Sequence, residues 1–312
     1  MVDCERNGRV YAKRVKQGFA HLVRILGEGT SAEAIGGRLD KFTATRLSEP
    51  ARGAKPGPNG EEPRRVAKAS VNRELALLRR GYKLLVRQRR LATMPHFSML
   101  REDNVRTRFP SAEEVEAVIT KLPARLKGPL VFIYRTGWRA NEAFRLEWRH
   151  VDLAAQVIRL EASEVKNRRD ARILPYGHDP ELAALIEERR TLTDELEHEH
   201  GTICPWVFWY MVKTRRGRFD LRPVQRDDDA WRLACEEAKV ADFKLHDLRR
   251  AFARAAVRAG VDEMTIMRLA GWRTRSVFDR YSVRSTEDLA EGVQKLAAAR
   301  QAQSPARARR RA

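Results

Sequence analysis

The sequence is short of cysteine. Its 312 residues include three, Cys4, Cys204 and Cys235, far apart and without a CxxC pair. That excludes a disulfide-stapled scaffold and a four-cysteine zinc site, and it fits a reducing, cytoplasmic setting. Long apolar runs are missing as well. No stretch reaches the roughly 18 consecutive apolar residues of a membrane span. The first thirty residues hold no apolar signal core, so neither membrane insertion nor export is expected. There is no internal repeat. Acidic residues are outnumbered: 62 Lys and Arg against 42 Asp and Glu leave a net charge of +20. Such a surface attracts polyanions, because Lys and Arg displace the counterions condensed on a phosphate backbone. What is present is enough apolar material for a packed core, 43% of the residues, which excludes a wholly disordered chain. The length suggests two domains.

The first region reads as helical. Val71, Leu75, Leu78, Tyr82 and Leu85 recur at steps of three and four, the spacing of one helix face. Arg73, Arg79, Arg80, Lys83, Arg87, Arg89 and Arg90 occupy the remaining surface, either as a solvated face or as a DNA contact. The Pro- and Gly-rich segment 49–70 breaks any helix and is expected to be a mobile loop. A polar stretch then ends at Pro110, and Ser111 with Glu114 three residues on forms a capping box, so a helix should begin there. The expected organisation is a helical domain over 1–107, a second domain over 108–298, and a basic, disordered tail over 299–312. In the second domain an apolar helix should stop at Gly137. Two short strands, 156–160 and 171–176, bracket a polar turn at 165–170. Helices follow over 180–190, 223–239, 246–260 and 262–270. The fold class expected is mainly α with a small antiparallel sheet.

Four segments carry chemistry. In Thr136-Gly137-Trp138-Arg139-Ala140-Asn141-Glu142, Gly137 caps one helix, Arg139 opens the next, and Glu142 lies one turn on, able to hold its guanidinium. Lys166 sits in the turn between the strands, either idle in solvent or able to reach into a groove and donate a proton. His246 and Arg249, three apart, share a helix face and suit one phosphate. Leu248, Ala251, Phe252, Ala255 and Ala256 are expected to form that helix's buried face. Gly271-Trp272 is followed nine residues after the Trp by Tyr281. His198-Glu199-His200 with Cys204 reads as a polar loop whose spacing matches no zinc pattern, so no metal is expected there.

Taken in order, these motifs resemble the tyrosine recombinase (phage integrase) family. Its Thr-Gly-x-Arg-x-x-Glu motif is matched by Thr136, Gly137, Arg139 and Glu142, and its hairpin lysine by Lys166, ahead of Arg172-Ile173-Leu174-Pro175. His246 and Arg249 match its His-x-x-Arg, Trp272 stands where most members have His, and Tyr281 matches the nucleophile. The likeness runs from Ser111 to Glu291, while residues 11–100 look like the family's core-binding domain. The turn holding Lys166 is about one residue longer than usual, which leaves Arg168 and Arg169 as alternatives for its role. The resemblance implies a site-specific recombinase that cleaves and rejoins double-stranded DNA through a covalent 3′-phosphotyrosine, with catalytic residues Arg139, Lys166, His246, Arg249, Trp272 and Tyr281. It implies no cofactor and no metal, a homotetramer on paired DNA sites, and room for an accessory DNA-bending factor. The alternatives are nicking and resealing in the manner of a type IB topoisomerase, or a non-catalytic DNA-binding relative.

Overall fold

The computed structural model describes residues 12–57, 60–102, 108–164, 171–214 and 219–279, together with 290, 292–298 and 300–301. The chain divides into two compact units, Met1–Asn104 and Val105–Ala312.

Unit 1 is helical: α1 (Ala12–Leu26), α2 (Ala32–Ile35), α3 (Leu39–Ser48) and α4 (Lys68–Arg87). The apolar period of α4 does what its spacing predicts, burying Val71, Leu75 and Tyr82 with Leu22, Leu26, Leu39 and Phe42. Arg73, Arg79, Lys83 and Arg87 face solvent on the same helix. A buried arginine enters this core: Arg46 donates from Nε and Nη2 to the two carboxylate oxygens of Glu74, each at 2.8 Å, and pairs with Glu49 as well. The described part of the segment after α3 holds no helix before Lys68, as expected of it. Its ends are tied as an antiparallel pair, Val66 N–H donating to Glu49 O at 3.0 Å and Ala51 N–H to Arg64 O at 2.6 Å.

Unit 2 opens with α5 (Ala112–Lys121), started by the capping box. Glu114 N–H donates to Ser111 Oγ at 3.2 Å and Ser111 N–H to Glu114 Oε2 at 2.9 Å. There follow α6 (Ala124–Thr136) and α7 (Ala140–Phe144), then a three-stranded antiparallel sheet of β1 (Val151–Asp152), β2 (Val157–Leu160) and β3 (Arg172–Pro175) in that order. Ile158 faces Leu174, and Leu160 faces Arg172, all four buried. Next come α8 (Pro180–His200), the hairpin β4 (Trp209–Lys213) and β5 (Phe219–Pro223), α9 (Asp228–Glu237), α10 (Leu248–Arg258), α11 (Glu263–Ala270) and α12 (Arg275–Asp279). The main core gathers Leu126, Leu130, Phe132, Ile133, Trp138, Ile158, Phe208 and Leu248. Truncating one such side chain, Leu130→Ala for instance, costs about 2–5 kcal/mol. Among the described residues, no helix is long and apolar enough to cross a membrane.

Several boundaries differ from those expected. The helix expected from Pro223 begins at Asp228, because Asp227 caps it (Oδ1 accepts from Ala230 N–H at 2.9 Å) and Pro223 ends β5. The helix from Pro180 runs on to His200, which Gly201 stops. His198 and His200 therefore lie in a last helical turn rather than a loop, with Cys204 buried beyond it. No group of three or more His, Cys, Asp or Glu suited to a metal is assembled among the described residues.

Candidate active site

The centre of unit 2 is built around two glycine-capped helix ends. α6 stops at Gly137, whose φ of 64° is left-handed. A side chain there would also collide with the Phe252 ring, one atom of which lies 2.3 Å from where a Cβ would stand. α6 and α10 can therefore touch at this point. Thr136 Oγ1 donates to Phe132 O at 2.7 Å and accepts from Trp138 N–H at 3.2 Å, and the Trp138 ring is buried edge-on to Phe132. The chain is thus fixed on both sides as Arg139 emerges at the cap of α7. Arg139 N–H donates to Glu142 Oε2 at 3.1 Å. Its guanidinium donates to Glu142 Oε1 at 3.1 Å and, through Nη2, to Gly271 O at 3.2 Å.

Gly271 is the second such cap, ending α11 with a φ of 66°. The carbonyl just before it, Ala270 O, accepts from Arg249 Nη2 at 3.2 Å. Two guanidiniums, more than a hundred residues apart in sequence, thus rest on consecutive carbonyls at one helix C-terminus, where the helix dipole favours cations. Arg249 lies in the first turn of α10, 2% exposed, with its guanidinium carbon 5.5 Å from the centre of the Trp272 indole. Trp272 is buried in turn and packs on Phe278 of α12.

His246 occupies the 3₁₀ turn Leu245–Asp247 that leads into α10. Desolvation, followed by the neighbouring Arg249, lowers its pKa to about 4. The residue as a whole is exposed and Asp247 opposes the shift, while the cationic neighbours Arg249, Arg226 and Arg250 act in the same direction as desolvation. The imidazole is neutral at pH 7 and able to accept a proton.

The structure brings Arg139, His246, Arg249 and Trp272 to the junctions of α7, α10 and α11. Lys166, with Arg168 and Arg169, and the nucleophile candidate Tyr281 lie outside the described residues; α12 ends at Asp279, two residues before Tyr281. The expected buried face of α10 needs correction: Ala253 is buried and Ala255 exposed, and Arg249 and Arg250 are buried beside them. Arg250 achieves this with its guanidinium 4.4 Å from the centre of the Phe109 ring and Asp247 nearby. One member of the centre was not foreseen. Arg172 of β3, 3% exposed, donates from Nη1 to Glu142 Oε2 at 2.7 Å, so Glu142 bridges two arginines.

Comparison with solved structures gives the class of this fold. It matches the Tn1549 transposon integrase in complex with a circular intermediate DNA (TM-score 0.66, 14% identity, 94% of this chain and 96% of that one). It also matches the XerH site-specific recombinase bound to difH (0.58, 14%, 90% and 78%) and a lambda integrase dimer bound to a core site (0.59, 12%, 89% and 92%). The fold is the one these integrases and recombinases share. The family model of the phage integrase family matches residues 99–287, well over half the chain, and the chain belongs to that family. Among curated relatives, it is 26% identical over 198 residues to the integrase of Salmonella phage P22, which covers 62% of this chain and 48% of that protein. It is likewise 26% identical over 234 residues to the tyrosine recombinase XerC of Myxococcus xanthus, covering 72% and 74%. The match thus spans about half the length of the phage relative.

Proposed function

We propose that the chain is a site-specific DNA recombinase that breaks and rejoins double-stranded DNA through a covalent 3′-phosphotyrosine. The observation that carries this reading is the seating of Arg139 and Arg249 on the adjoining carbonyls of Gly271 and Ala270, with a neutral imidazole at the head of α10. A phosphodiester repels nucleophiles, and its transition state spreads negative charge over the nonbridging oxygens; two preorganised guanidiniums answer that charge. Tyr281 Oη attacks phosphorus and His246 takes its proton. The bond to the 5′ oxygen breaks as the tyrosyl ester forms, and Lys166 supplies the proton for the departing oxygen. Trp272 supports Arg249 from beneath. A free 5′-hydroxyl of a partner strand then attacks the ester and restores a phosphodiester. The bond energy stays in the ester throughout, so the exchange needs no nucleotide cofactor.

In this reading residues 1–107 form the core DNA-binding domain, with the exposed arginines of α4 on the phosphate backbone, and 108–298 form the catalytic domain. Each chain brings one Tyr281, whereas exchange of two duplexes takes four cleavages, which argues for a homotetramer on paired sites. The test is a duplex nicked near the crossover, so that a cleaved strand diffuses away and the protein is trapped. Wild-type protein should form an adduct that survives denaturing electrophoresis, and Tyr281→Phe should bind the DNA yet form none. An adduct from the Phe variant sinks the nucleophile assignment. Joining of strands between two sites separates recombination from nicking and resealing of a single duplex.

A further inference from the structure

Arg172 stands on the opposite face of β3 from the one its chemistry favours. Inward and outward positions alternate along the strand, and its first pair is inverted in content: Ile173 points out, 58% exposed, while Arg172, 3% exposed, points in beside Leu174. A guanidinium is kept in a core only with partners that match it. Here they are specific. Both terminal nitrogens face the Glu142 carboxylate, at 2.7 and 3.4 Å, and the guanidinium carbon lies 5.1 Å from the centre of the Trp138 ring. Nη2 comes within 1.9 Å of where a Cβ on residue 271 would stand, so the group fills the space that a side chain there would take. Arg172 therefore touches the carboxylate that holds Arg139 and the residue whose carbonyl Arg139 rests on.

Among the described residues, the charge count at this spot is unequal. One carboxylate, Glu142, serves two guanidiniums; Arg172 is almost wholly enclosed, while Arg139 keeps a quarter of its side chain open to solvent. With Glu142 engaged by Arg139 alone, the two charges would cancel as seen by an approaching phosphate.

We infer that Arg172 is a positioning residue for phosphoryl transfer: it neutralises Glu142 from the core side, leaving Arg139 with a positive charge to spend on the phosphate, and it fixes the Gly271 carbonyl beneath Arg139. The inference rests on the recombinase reading above. It is a statement about charge as well as shape, and that makes it separable from simple packing.

The experiment uses the full chain on the nicked duplex and reads single-turnover cleavage at saturating DNA, DNA affinity by gel shift, and Tm. Arg172→Met should slow cleavage by about 50-fold or more while affinity stays within about threefold, the signature of a transition-state interaction. Adding Glu142→Gln removes the carboxylate charge that Arg172 no longer balances, and the double variant should cleave at least about tenfold faster than Arg172→Met alone. A purely structural Arg172 gives no such rescue. A double variant no faster than Arg172→Met, or an Arg172→Met protein within about threefold of wild type, overturns the inference. Should Arg172→Met not fold, Arg172→Lys carries the test. It keeps the charge and should cleave within about tenfold of wild type, and a folded Lys variant slowed by more than about 100-fold overturns the charge role. A wild-type protein that forms no adduct overturns the recombinase reading itself, whereas a wild-type adduct with an unaffected Arg172→Met overturns only the inference.

Discussion

Each unit of the chain buries an arginine against a glutamate, and the two arrangements differ in what surrounds the pair. In unit 1, Arg46 meets Glu74 through two bonds of 2.8 Å and Glu49 through a third, and Glu49 also takes Arg24. Two cations and two carboxylates close the account. In unit 2, among the described residues, Arg172 and Arg139 share the carboxylate of Glu142, and Arg249 rests on the neighbouring carbonyl. The pKa directions follow. The Glu74 hydrogen bonds hold the Arg46 pKa above its ordinary value, whereas burial, with Arg139 adding to it, pulls that of Arg172 below. A balanced cluster serves the fold. A cluster in which two guanidiniums share one carboxylate suits an anion, and under the proposed function that anion is the DNA phosphate.

The largest effect should come from breaking the balanced cluster. Arg46→Met leaves Glu74 buried without its partner and should cost about 3–5 kcal/mol of unfolding free energy. Replacing both residues, Arg46→Met with Glu74→Leu, should recover most of that in denaturant melts. An equal loss from the single and double variants would break the comparison. Next come the surplus cations. Arg139→Ala and Arg249→Ala should each slow single-turnover cleavage by about 10²-fold, close to 3 kcal/mol in the transition state. Under the proposed function the double variant should lose less than the product of the two, as groups acting on one phosphate do. Strict multiplication of the two losses counts against a shared target.

A smaller effect is expected in acid. His246 in the folded chain binds a proton only near pH 4, whereas in the unfolded chain its ordinary value is 6.5. Between those values the unfolded state holds more protons, so stability falls as pH drops from 6.5 towards 4. His246→Gln lacks this contribution, and wild type should lose more unfolding free energy than the variant between pH 7.5 and pH 5, by an amount that solvent access to the ring limits. Identical slopes would show that the imidazole is not held neutral. The smallest effect belongs to the rim of the balanced cluster. Arg24 is about half exposed, and Arg24→Ala should cost no more than about 1 kcal/mol, less still in high salt.

The features legible in the sequence were those with a local cause. The capping box at Ser111 and Glu114 and the stop at Gly137 each depend on neighbouring residues and are found as read, whereas His246, expected on one helix face with Arg249, lies exposed in the 3₁₀ turn before α10 while Arg249 is buried in the helix. Membership of the family was legible too, because it rests on several motifs in order. What escaped depends on distance. Arg172 meets Glu142 thirty residues away, and nothing within β3 marks it as the inward member of its strand. Arg250 is buried because Phe109 lies under it, so the inner face of α10 could not be drawn from the apolar residues of α10 alone. The hairpin β4–β5 went unread because its strands alternate weakly, with Phe219 left outside.

Gly137 and Gly271 carry no chemistry, yet they set how freely this sequence can drift. At position 137 any side chain would push α10, and Arg249 with it, away from α6; at position 271 it would displace Arg172 and the carbonyl under Arg139. Both also hold left-handed backbone that a larger residue adopts only under strain. The surface arginines can exchange with lysine and the core aliphatics with one another. These two sites admit almost no neighbour in sequence space, so the spacing between the two guanidiniums stays locked by a pair of missing side chains.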